Sequence, residues 1–351
     1  MEELYDLIKG TGSDEELELY RACFENNGTP RDTAQLRWIH LQNVVGINCI
    51  YYAIERSSAN IVAIVTVQPC ILTLNGINHS SMQEIDILTD KNHRGKGLFT
   101  KLAKAEFNDA KDNNFLLVYG FPNDHSAHGF FKKLGWTSFG QVPFLIKPMR
   151  ASYFFKRLFK IKPTVNQEQE TFLVPDPTEG SAIKLIKEFD EKYDLFWKKI
   201  QEGIKLGICR DSKFMNWRIF NKPGEKYHVF GYFENNLLHG IIIFSLKNKH
   251  EGKIGYIIEL LYVPEQPGIG KKLLQFARSF FKKNQADVVL VWCLEHSFNY
   301  NSYRKGGYIK FPERLRPLKL FFGVRAFKPE YEKLILDVRN WYISYIDSDT
   351  V

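Results

Sequence analysis

The sequence predicts a chain of mixed α/β class, built from two related units in tandem, each a twisted mixed sheet flanked by helices. Three observations predict it: landmarks that recur in the same order, apolar runs of strand length that alternate with helical patterns, and a glycine-rich loop between a strand and a helix. A chain of 351 residues is long for one hydrophobic core and sufficient for two. We expect the units at 1–150 and 171–351, with a connector at 151–170.

In the first unit, two helices come before three long strands. The helical patterns lie at 14–26 and 32–44, and polar turns separate strands near 48–55, 60–74 and 77–89. The unit is completed by a helix near 97–112, a buried strand at 115–120, a short helix from Asn123 or Asp124 to Leu134, and closing strands near 136–147.

The second unit repeats the landmarks of the first. Trp217 follows Trp38 by 179 positions, and Gly268 follows Gly95 by 173. The strand-like run FLLVYGF corresponds to VVLVWCL, and FFKKLGW corresponds to YRKGGY. Two β-like hairpins with polar turns correspond in the same way. Because a tandem repeat can pack as the subunits of a dimer do, a monomer is compatible with the sequence, which leaves the oligomeric state open.

Composition restricts the partners. The 48 Lys and Arg exceed the 40 Asp and Glu, and the formal charge of +8 favours anionic ligands. We expect no nucleic-acid partner, because a basic helix stripe, a zinc pattern and a stacking motif are all missing. No apolar run approaches the roughly 20 residues of a membrane span, although the basic and aromatic stretch at 150–163 could lie on a membrane surface instead of serving as a connector. Five scattered cysteines and an acidic N-terminus without a secretory pattern indicate a cytoplasmic protein with reduced thiols.

The stretch DKNHRGKGLF, which begins at residue 90, combines glycines with basic residues. Gly95 and Gly97 let backbone N–H groups approach an anion, and the N-terminus of the following helix favours negative charge. Arg94 and Lys96 add positive charge, so the loop suits a pyrophosphate. A surface turn is the alternative interpretation.

This loop resembles the pyrophosphate loop of the GNAT superfamily of acyl-CoA-dependent N-acyltransferases. The family pattern of Gln or Arg, two residues, Gly, one residue, and Gly or Ala falls on Asn92, Gly95 and Gly97. The stretch LLVYGFPNDHSAHGFFKKLGW is similar to the family's next strand, Asn-led helix and closing motif. The resemblance covers most of 14–148 and, more loosely, 180–327. It implies acyl-CoA as a cosubstrate, no metal, no permanently bound cofactor, and contacts to acyl-CoA from Ile87, Leu88, Thr89, Arg94, Gly95, Lys96, Gly97, Leu98, Phe99, Asn123 and Phe131.

The resemblance also implies direct attack of a primary amine on the thioester, with backbone near Ile87–Thr89 as the oxyanion donor. Phe131 occupies the position where many members place a tyrosine that protonates the departing thiolate, so water or another residue must supply that proton. Glu84 and Asp86 alternate along a strand, and we expect them to face the same side as candidate general bases or as a solvated strand face. His125 is a further candidate, and a weakly basic amine would need no base.

The second unit carries a weaker copy of the loop in YVPEQPGIGKKLL. The copy is shorter, Pro267 lacks an N–H, and Glu265 repels phosphate, so we expect acyl-CoA on the first unit only. Tyr303 keeps the tyrosine that is replaced by Phe131. The second unit is then expected to help build the acceptor pocket. Candidate acceptor contacts, each with packing or solvent exposure as the alternative, are Trp217, Arg218, Tyr227, Asp347 and Asp349.

Tandem chains with RGKGLF and GFPN motifs resemble N-acyltransferases of bacterial surface-polysaccharide pathways, including those of lipopolysaccharide O-antigen. That resemblance implies a dTDP- or UDP-linked amino sugar as the acceptor, which the basic charge also suits. Two alternatives stay open: N-acetylation of a protein or peptide, and a catalytically inactive CoA-binding module.

Overall fold

Two mixed sheets flanked by helices make up the fold in this computed structural model, which describes residues 4–46, 49–151, 153, 172, 181–249, 251–316 and 318–348. The strands are β1 (Tyr5–Lys9), β2 (Ile50–Glu55), β3 (Asn60–Leu74), β4 (Ile77–Thr89), β5 (Leu117–Gly120), β6 (Thr137–Gln141), β7 (Phe144–Pro148), β8 (Ile183–Leu185), β9 (Leu206–Ile208), β10 (His228–Glu234), β11 (Leu237–Lys249), β12 (Gly252–Tyr262), β13 (Val288–Trp292), β14 (Ile309–Lys310) and β15 (Phe321–Ala326). The α-helices are α1 (Asp14–Asn26), α2 (Thr33–His40), α3 (Leu98–Asp112), α4 (Asp124–His128), α5 (Glu191–Gln201), α6 (Ser212–Met215), α7 (Pro267–Lys283), α8 (Tyr300–Lys305) and α9 (Pro329–Ile335).

Each sheet contains strands from both halves of the chain. The first sheet has the order β1-β2-β3-β4-β5-β15-β6, with β9 also paired to β3, and the second has the order β14-β7-β13-β12-β11-β10-β8. The late strand β15 thus lies between β5 and β6, and the early strand β7 lies between β13 and β14. The predicted fold class is confirmed, and the exchange of strands is a feature that the sequence did not reveal.

The predicted division of the chain stays a prediction, since the connector at 151–170 lies almost wholly outside the described residues. The part of the 150–163 stretch that was assigned to a membrane surface falls there as well, apart from 150, 151 and 153. Sheet membership crosses the predicted division at β7, β9 and β15.

The first two helices begin at side-chain caps, and the helices of the first half cover both faces of the first sheet. Ser13 caps α1 and Asp32 caps α2, as short polar side chains do at helix starts. One cluster of buried side chains joins α1 to β2 and β3, and a separate one joins α3 to the opposite face. This arrangement leaves the end of β4 and the start of α3 at the edge of the core, where the candidate site lies.

The repeated tryptophans meet each other. The rings of Trp38 and Trp217 stack with centroids 4.4 Å apart and planes 15° apart. The indole of Trp38 donates to the carbonyl of Trp217 at 3.0 Å, and the indole of Trp217 donates to the carbonyl of Trp38 at 3.3 Å. Such reciprocal contacts are typical of a two-fold relation, so the two halves pack on each other as the subunits of a symmetric dimer would.

Two further sequence predictions concern the state of the cysteines and the absence of a membrane span. All five cysteines are buried free thiols. Within the described ranges, no helix combines the length and the apolar character that crossing a bilayer requires.

We predict that Trp38→Ala and Trp217→Ala each lower the free energy of unfolding by about 3–5 kcal/mol, because each removes a large buried ring. The double variant should lose less than the sum, since either single change already removes the stack, although each removes only the hydrogen bond that its own indole donates. Denaturant unfolding of the three variants measures this coupling. Strictly additive losses would contradict a shared contact.

Candidate active site

The loop between β4 and α3, residues 90–97, has the backbone of an anion cradle. Gly95 and Gly97 both have φ of +76°, in the left-handed region that favours glycine. Gly97 precedes the first turn of α3, and no side chain caps that helix. The first N–H groups of α3 therefore remain available to an anion, which the helix dipole also favours.

The basic residues of the loop differ in their contacts. Arg94 is exposed, and its Nε donates to the carbonyl of Thr89 at 3.3 Å. The Nζ of Lys96 donates to the hydroxyl of Tyr5 at 2.7 Å, so Lys96 is fixed against β1 beside the loop. Both positive charges thus lie close to the uncapped start of α3.

A gap opens between β4 and β5 directly before the loop. The parallel pairing of these strands covers only Met82–Glu84 with Val118–Gly120. On its other edge β4 stays paired to β3 as far as Thr89. The segment 85–89 therefore has one edge without a strand partner, and this opening is called the β4–β5 gap. The oxyanion donor predicted at Ile87–Thr89 lies along it.

Glu84 and Asp86 lie on opposite faces of the sheet, contrary to the expectation of a shared face. On β3, the neighbouring residues Thr66 and Val67 pair with Asp86 and Glu84 respectively, so Ile85 is an extra residue on β4. A β-bulge of this kind breaks the alternation of side chains along a strand. The two carboxyl groups consequently have different environments.

Asp86 lies on the face covered by α1. Its carboxylate accepts a 2.7 Å hydrogen bond from the hydroxyl of Tyr20 and bonds of 3.0 and 2.5 Å from Nε and Nη2 of Arg31. His40 lies in the same region, with its ring 5.7 Å from that of Tyr20. Burial lowers the pKa of His40 to about 4 although the charge of Asp86 opposes this, so the imidazole is neutral. His40 was not predicted; its only signal is its position in the last turn of α2.

Glu84 lies on the face covered by α3, where it has a second buried carboxyl as a neighbour. Within the described residues, neither the Glu84 oxygens nor those of Glu106 on α3 have a hydrogen-bond partner. Burial raises the pKa of Glu84 well above its usual range, and the charges of Glu106 and Asp86 raise it further. Burial also raises the pKa of Glu106 to about 8, against the opposing charge of Arg325. Both carboxyl groups therefore favour the protonated form.

Glu106 and Arg325 were not predicted as site residues. Glu106 follows Leu98 and Leu102 at helical spacing, so a carboxyl group at an apolar position of α3 was the available signal. Arg325 belongs to the exchanged strand β15, where its guanidinium lies 4.6 Å from the ring centroid of Phe107. Its nearness to α3 depends on the strand exchange, which the sequence did not indicate.

The remaining residues predicted to contact acyl-CoA lie around the first turn of α3 and at α4. Asn123 caps α4 by accepting from the backbone N–H groups of His125 and Ser126, at 3.0 and 3.2 Å. His125, predicted as a possible base, is exposed on that short helix. Phe131 packs against β15, with its ring 6.2 Å from that of Phe321. A contact of Asn123 or Phe131 with acyl-CoA stays a prediction.

Three of the five residues predicted to bind the acceptor are buried, namely Trp217, Arg218 and Asp347. Trp217 is used in the stack on Trp38, so its buried ring offers no exposed face to a base. The guanidinium of Arg218 donates to the carbonyl of Ile346 at 3.1 Å and to the hydroxyl of Tyr227 at 3.3 Å. Asp347 is buried, and Asp349 lies outside the described residues. The structure thus brings Arg218, Tyr227 and Asp347 together at residues 341–348, which are called the C-terminal tail.

The second half lacks the cradle. The segment between β12 and α7 has four residues, 263–266, where the first half has eight, 90–97. The helix begins at Pro267, so Gly268 lies in its first turn and has no left-handed backbone. Tyr303 is buried in the core of the second sheet, packed on Tyr308.

The gap of the second half is filled by the chain itself. Glu259 lies 173 positions after Asp86 and Arg210 lies 179 after Arg31, the same offsets as in the sequence landmarks. Arg210 donates to Glu259 at 2.8 Å, as Arg31 does to Asp86. Glu259 also accepts from the hydroxyls of Tyr342 and Ser344, at 2.7 and 2.8 Å. The tail therefore occupies the position where the first half has an open gap.

Comparisons with known proteins agree with this geometry. Residues 5–139 match the family model described as an acetyltransferase (GNAT) domain. No curated protein sequence matches the chain.

Solved structures share the fold over almost the whole chain. A conserved protein of unknown function from Enterococcus faecalis V583, described as a probable N-acyltransferase, has a TM-score of 0.63 at 12% identity, over 92% of this chain and 72% of that one. Saccharomyces cerevisiae N-myristoyltransferase with bound myristoyl-CoA has a TM-score of 0.62 at 11% identity, over 93% and 80%. A GCN5-related N-acetyltransferase from Anabaena variabilis has a TM-score of 0.60 at 12% identity, over 92% and 73%. Residues 5–139 are thus similar to an acetyltransferase (GNAT) domain, as the sequence predicts, and the chain shares the fold of these three structures.

We predict that Gly95→Ala and Gly97→Ala each weaken CoA binding by about tenfold or more, because a Cβ in the left-handed region costs about 1–2 kcal/mol and displaces the N–H groups of the cradle. Gly268→Ala is the matched control, since that glycine lies in a helix with open space around it. Calorimetric titration with CoA measures all three. Equal loss in the control would contradict the assignment of CoA to the first half.

The buried Glu106 predicts a pH-dependent stability. A carboxyl group with a raised pKa stabilises the fold while it is protonated, and this contribution is lost as pH rises from about 4.5 to about 8. The unfolding free energy of the wild type should fall relative to Glu106→Gln by roughly 1.4 kcal/mol per pH unit in that window. Denaturant unfolding between pH 5 and 8 measures the difference, with Glu188→Gln as an exposed control. A pH-independent difference would contradict a protonated Glu106.

Proposed function

We propose that the protein transfers an acyl group from acyl-CoA to a primary amine. The observation that carries this proposal is the pairing of an uncapped helix start behind two left-handed glycines with the open β4–β5 gap, while the second half has neither. The pyrophosphate binds the backbone of residues 95–97, and the pantetheine arm runs along the gap towards the bulge at Ile85. The buried side chains around the β4–β5 gap then exclude water from the thioester.

The amine nitrogen attacks the thioester carbonyl, a C–N bond forms, and the C–S bond breaks. Backbone N–H groups along Ile87–Thr89 stabilise the oxyanion. Asp86, held as the partner of Arg31, accepts the amine proton on one face of β4. Glu84, whose raised pKa keeps a proton on its carboxyl group, gives that proton to the CoA thiolate on the other face. Glu84 thus supplies the proton that Phe131 cannot.

As acceptor we propose an amino sugar linked to a nucleotide diphosphate, dTDP or UDP, for surface polysaccharide. The RGKGLF and GFPN motifs and the net charge of +8 support it. The buried positions of Trp217 and Asp347 do not add support, so the acceptor would be held near α1 and α2. There Arg31, whose side chain is 34% exposed, reaches the surface beside Asp86.

A peptide amine is the second candidate acceptor. The observation that favours it is the fold shared with N-myristoyltransferase across 93% of this chain, which includes both halves. An exposed acceptor region next to Asp86 would serve a peptide N-terminus equally well.

The proposal predicts release of CoA thiol when acyl-CoAs of increasing length are incubated with dTDP- and UDP-linked amino sugars. Glu84→Gln and Asp86→Asn should each lower kcat by about 100-fold or more, while calorimetric CoA affinity stays within about twofold. Glu188→Gln serves as an exposed control that keeps full activity.

The outcomes separate the candidates. Thiol release with peptides and none with amino-sugar nucleotides would overturn the proposed acceptor and leave the acyl transfer. CoA binding without thiol release from any amine would identify an inactive binding module. Unchanged kcat in Glu84→Gln would assign the thiolate proton to water.

A further inference from the structure

Two buried carboxyl groups, those of Glu84 and Glu106, lie between β4 and α3 at the point where the β4–β5 gap begins. Glu84 is the last residue of β4 that pairs with β5, and a Cβ added at its partner Gly120 would lie 3.0 Å from the Cβ of Glu84. Glu106 extends from α3, which packs on β4. Glu84 is 8% exposed and Glu106 is fully buried. The acyl transfer described above uses Glu84 and gives Glu106 no part.

Neither member of this Glu84–Glu106 pair is compensated by a hydrogen bond. In the part of the chain that the structure describes, all four carboxyl oxygens lack a hydrogen-bond partner. Ionising a carboxyl group in such a position is costly, and a second negative charge close by increases the cost. Burial raises the pKa of Glu84, and the charge of Glu106 raises it further. The pair therefore keeps at least one proton well above neutral pH.

Arg325 makes the two members of the pair unequal. Burial raises the pKa of Glu106 to about 8, and the positive charge of Arg325 opposes this rise. The Nε of Arg325 is buried, and among the described residues it has no hydrogen-bond partner, so this donor is not committed elsewhere. The charges that act on Glu84, those of Glu106 and Asp86, are both negative. Glu106 therefore ionises first, and the proton that remains in the pair is on Glu84.

Three further titratable groups lie near Glu106 on neighbouring elements: Asp109 on α3, and Cys49 and Tyr51 at the start of β2. The charge of Asp109 raises the pKa of Glu106, yet Asp109 is itself held in a 2.8 Å ion pair with Lys9. Burial raises the pKa of the thiol and of the phenol, so both stay neutral. All three leave the difference made by Arg325 in place.

We infer that Glu106 is a positioning residue that keeps a proton on Glu84 for the CoA thiolate, and that Arg325 determines which member of the pair holds it. The inference rests on the proposed function, in which Glu84 is the proton donor. As the thiolate leaves, the O–H bond of Glu84 breaks and an S–H bond forms. The pair then carries one more negative charge in buried surroundings, so it takes up a proton from solvent, while Asp86 returns the amine proton to solvent.

The first test counts the protons of the pair and needs no substrate. A protonated carboxyl group has an infrared C=O band separate from that of a carboxylate, and variants assign the bands by difference. In the wild type we expect two steps, the first near pH 8 and the second higher. Glu106→Gln should leave a single step, at least about one pH unit below the second wild-type step, and Arg325→Gln should raise the first step. Asp112→Asn, which changes an exposed carboxyl group at the end of α3, is the matched control.

The second test measures kcat for thiol release against pH. Wild-type kcat should persist until the pair loses its last proton, and in Glu106→Gln the fall should begin about one pH unit lower or more, with KM for acyl-CoA unchanged. Glu106→Asp, which keeps a carboxyl group, should restore much of the wild-type profile. A purely structural role of Glu106 would lower the amount of folded enzyme without moving the profile. Asp112→Asn should keep the wild-type profile.

The outcomes separate the inference from the proposed function. If the Glu84 step or the fall of kcat has the same pH in Glu106→Gln as in the wild type, the inference is overturned, while thiol release by the wild type leaves the proposed function standing. A first step at unchanged pH in Arg325→Gln would overturn the part assigned to Arg325. Absence of thiol release by the wild type with every acyl-CoA and amine would overturn the proposed function and the role of Glu106 together, even where the infrared titration shows two steps.

Discussion

The guanidinium group of Arg210 is the contact on which the relation between the two sheets depends. It donates to Glu259 on β12 at 2.8 Å, to the carbonyl of Ile208 on β9 at 2.8 Å, and to Asp347 of the tail at 2.5 Å. β9 belongs to the first sheet and β12 to the second, so one buried cation joins both sheets and the tail. A buried charge of this kind is stable only while every partner is in place. Asp347 is buried, and burial raises the pKa of its carboxyl group to about 6 although the charge of Arg210 opposes this.

Each half contains a buried or partly buried ion pair between an arginine and a carboxylate, and the two pairs have different surroundings. In the first half, Arg31 remains 34% exposed where it holds Asp86, and the neighbouring gap is open. In the second half, Arg210 and Glu259 are fully buried beneath the tail. Both pairs join an arginine to a carboxylate, and they differ in whether another segment of the chain covers them.

Much of the fold could be predicted from the sequence because it depends on local patterns. The helix at 14–26 and the strands at 60–74 and 77–89 have the predicted bounds, since caps, turns and periodicity define them. The strand exchange could not be predicted, because the sequence of a six-residue strand such as β15 does not specify its neighbours. For the same reason, the prediction that Glu84 and Asp86 share a face was wrong: one extra residue at Ile85 is invisible without the pairing of β3.

The candidate site divides in the same way. The glycines of the cradle were found because a left-handed backbone has a sequence signature. Glu106, His40 and Arg325 were missed because their environment is made by segments distant in sequence. Trp217 was named as an acceptor contact because an aromatic ring beside the guanidinium of Arg218 can stack on a base, and the structure shows the alternative, packing on Trp38.

The exchange of β7 and β15 makes the two halves of the chain depend on each other. Without β15, the facing edges of β5 and β6 would expose unpaired backbone groups, and without β7 the same would hold for β13 and β14. Neither half can therefore be lost or replaced alone, even though the second has no phosphate cradle. The second half, which has no counterpart of the left-handed glycines Gly95 and Gly97 before α7, still supplies strand partners that the first sheet needs.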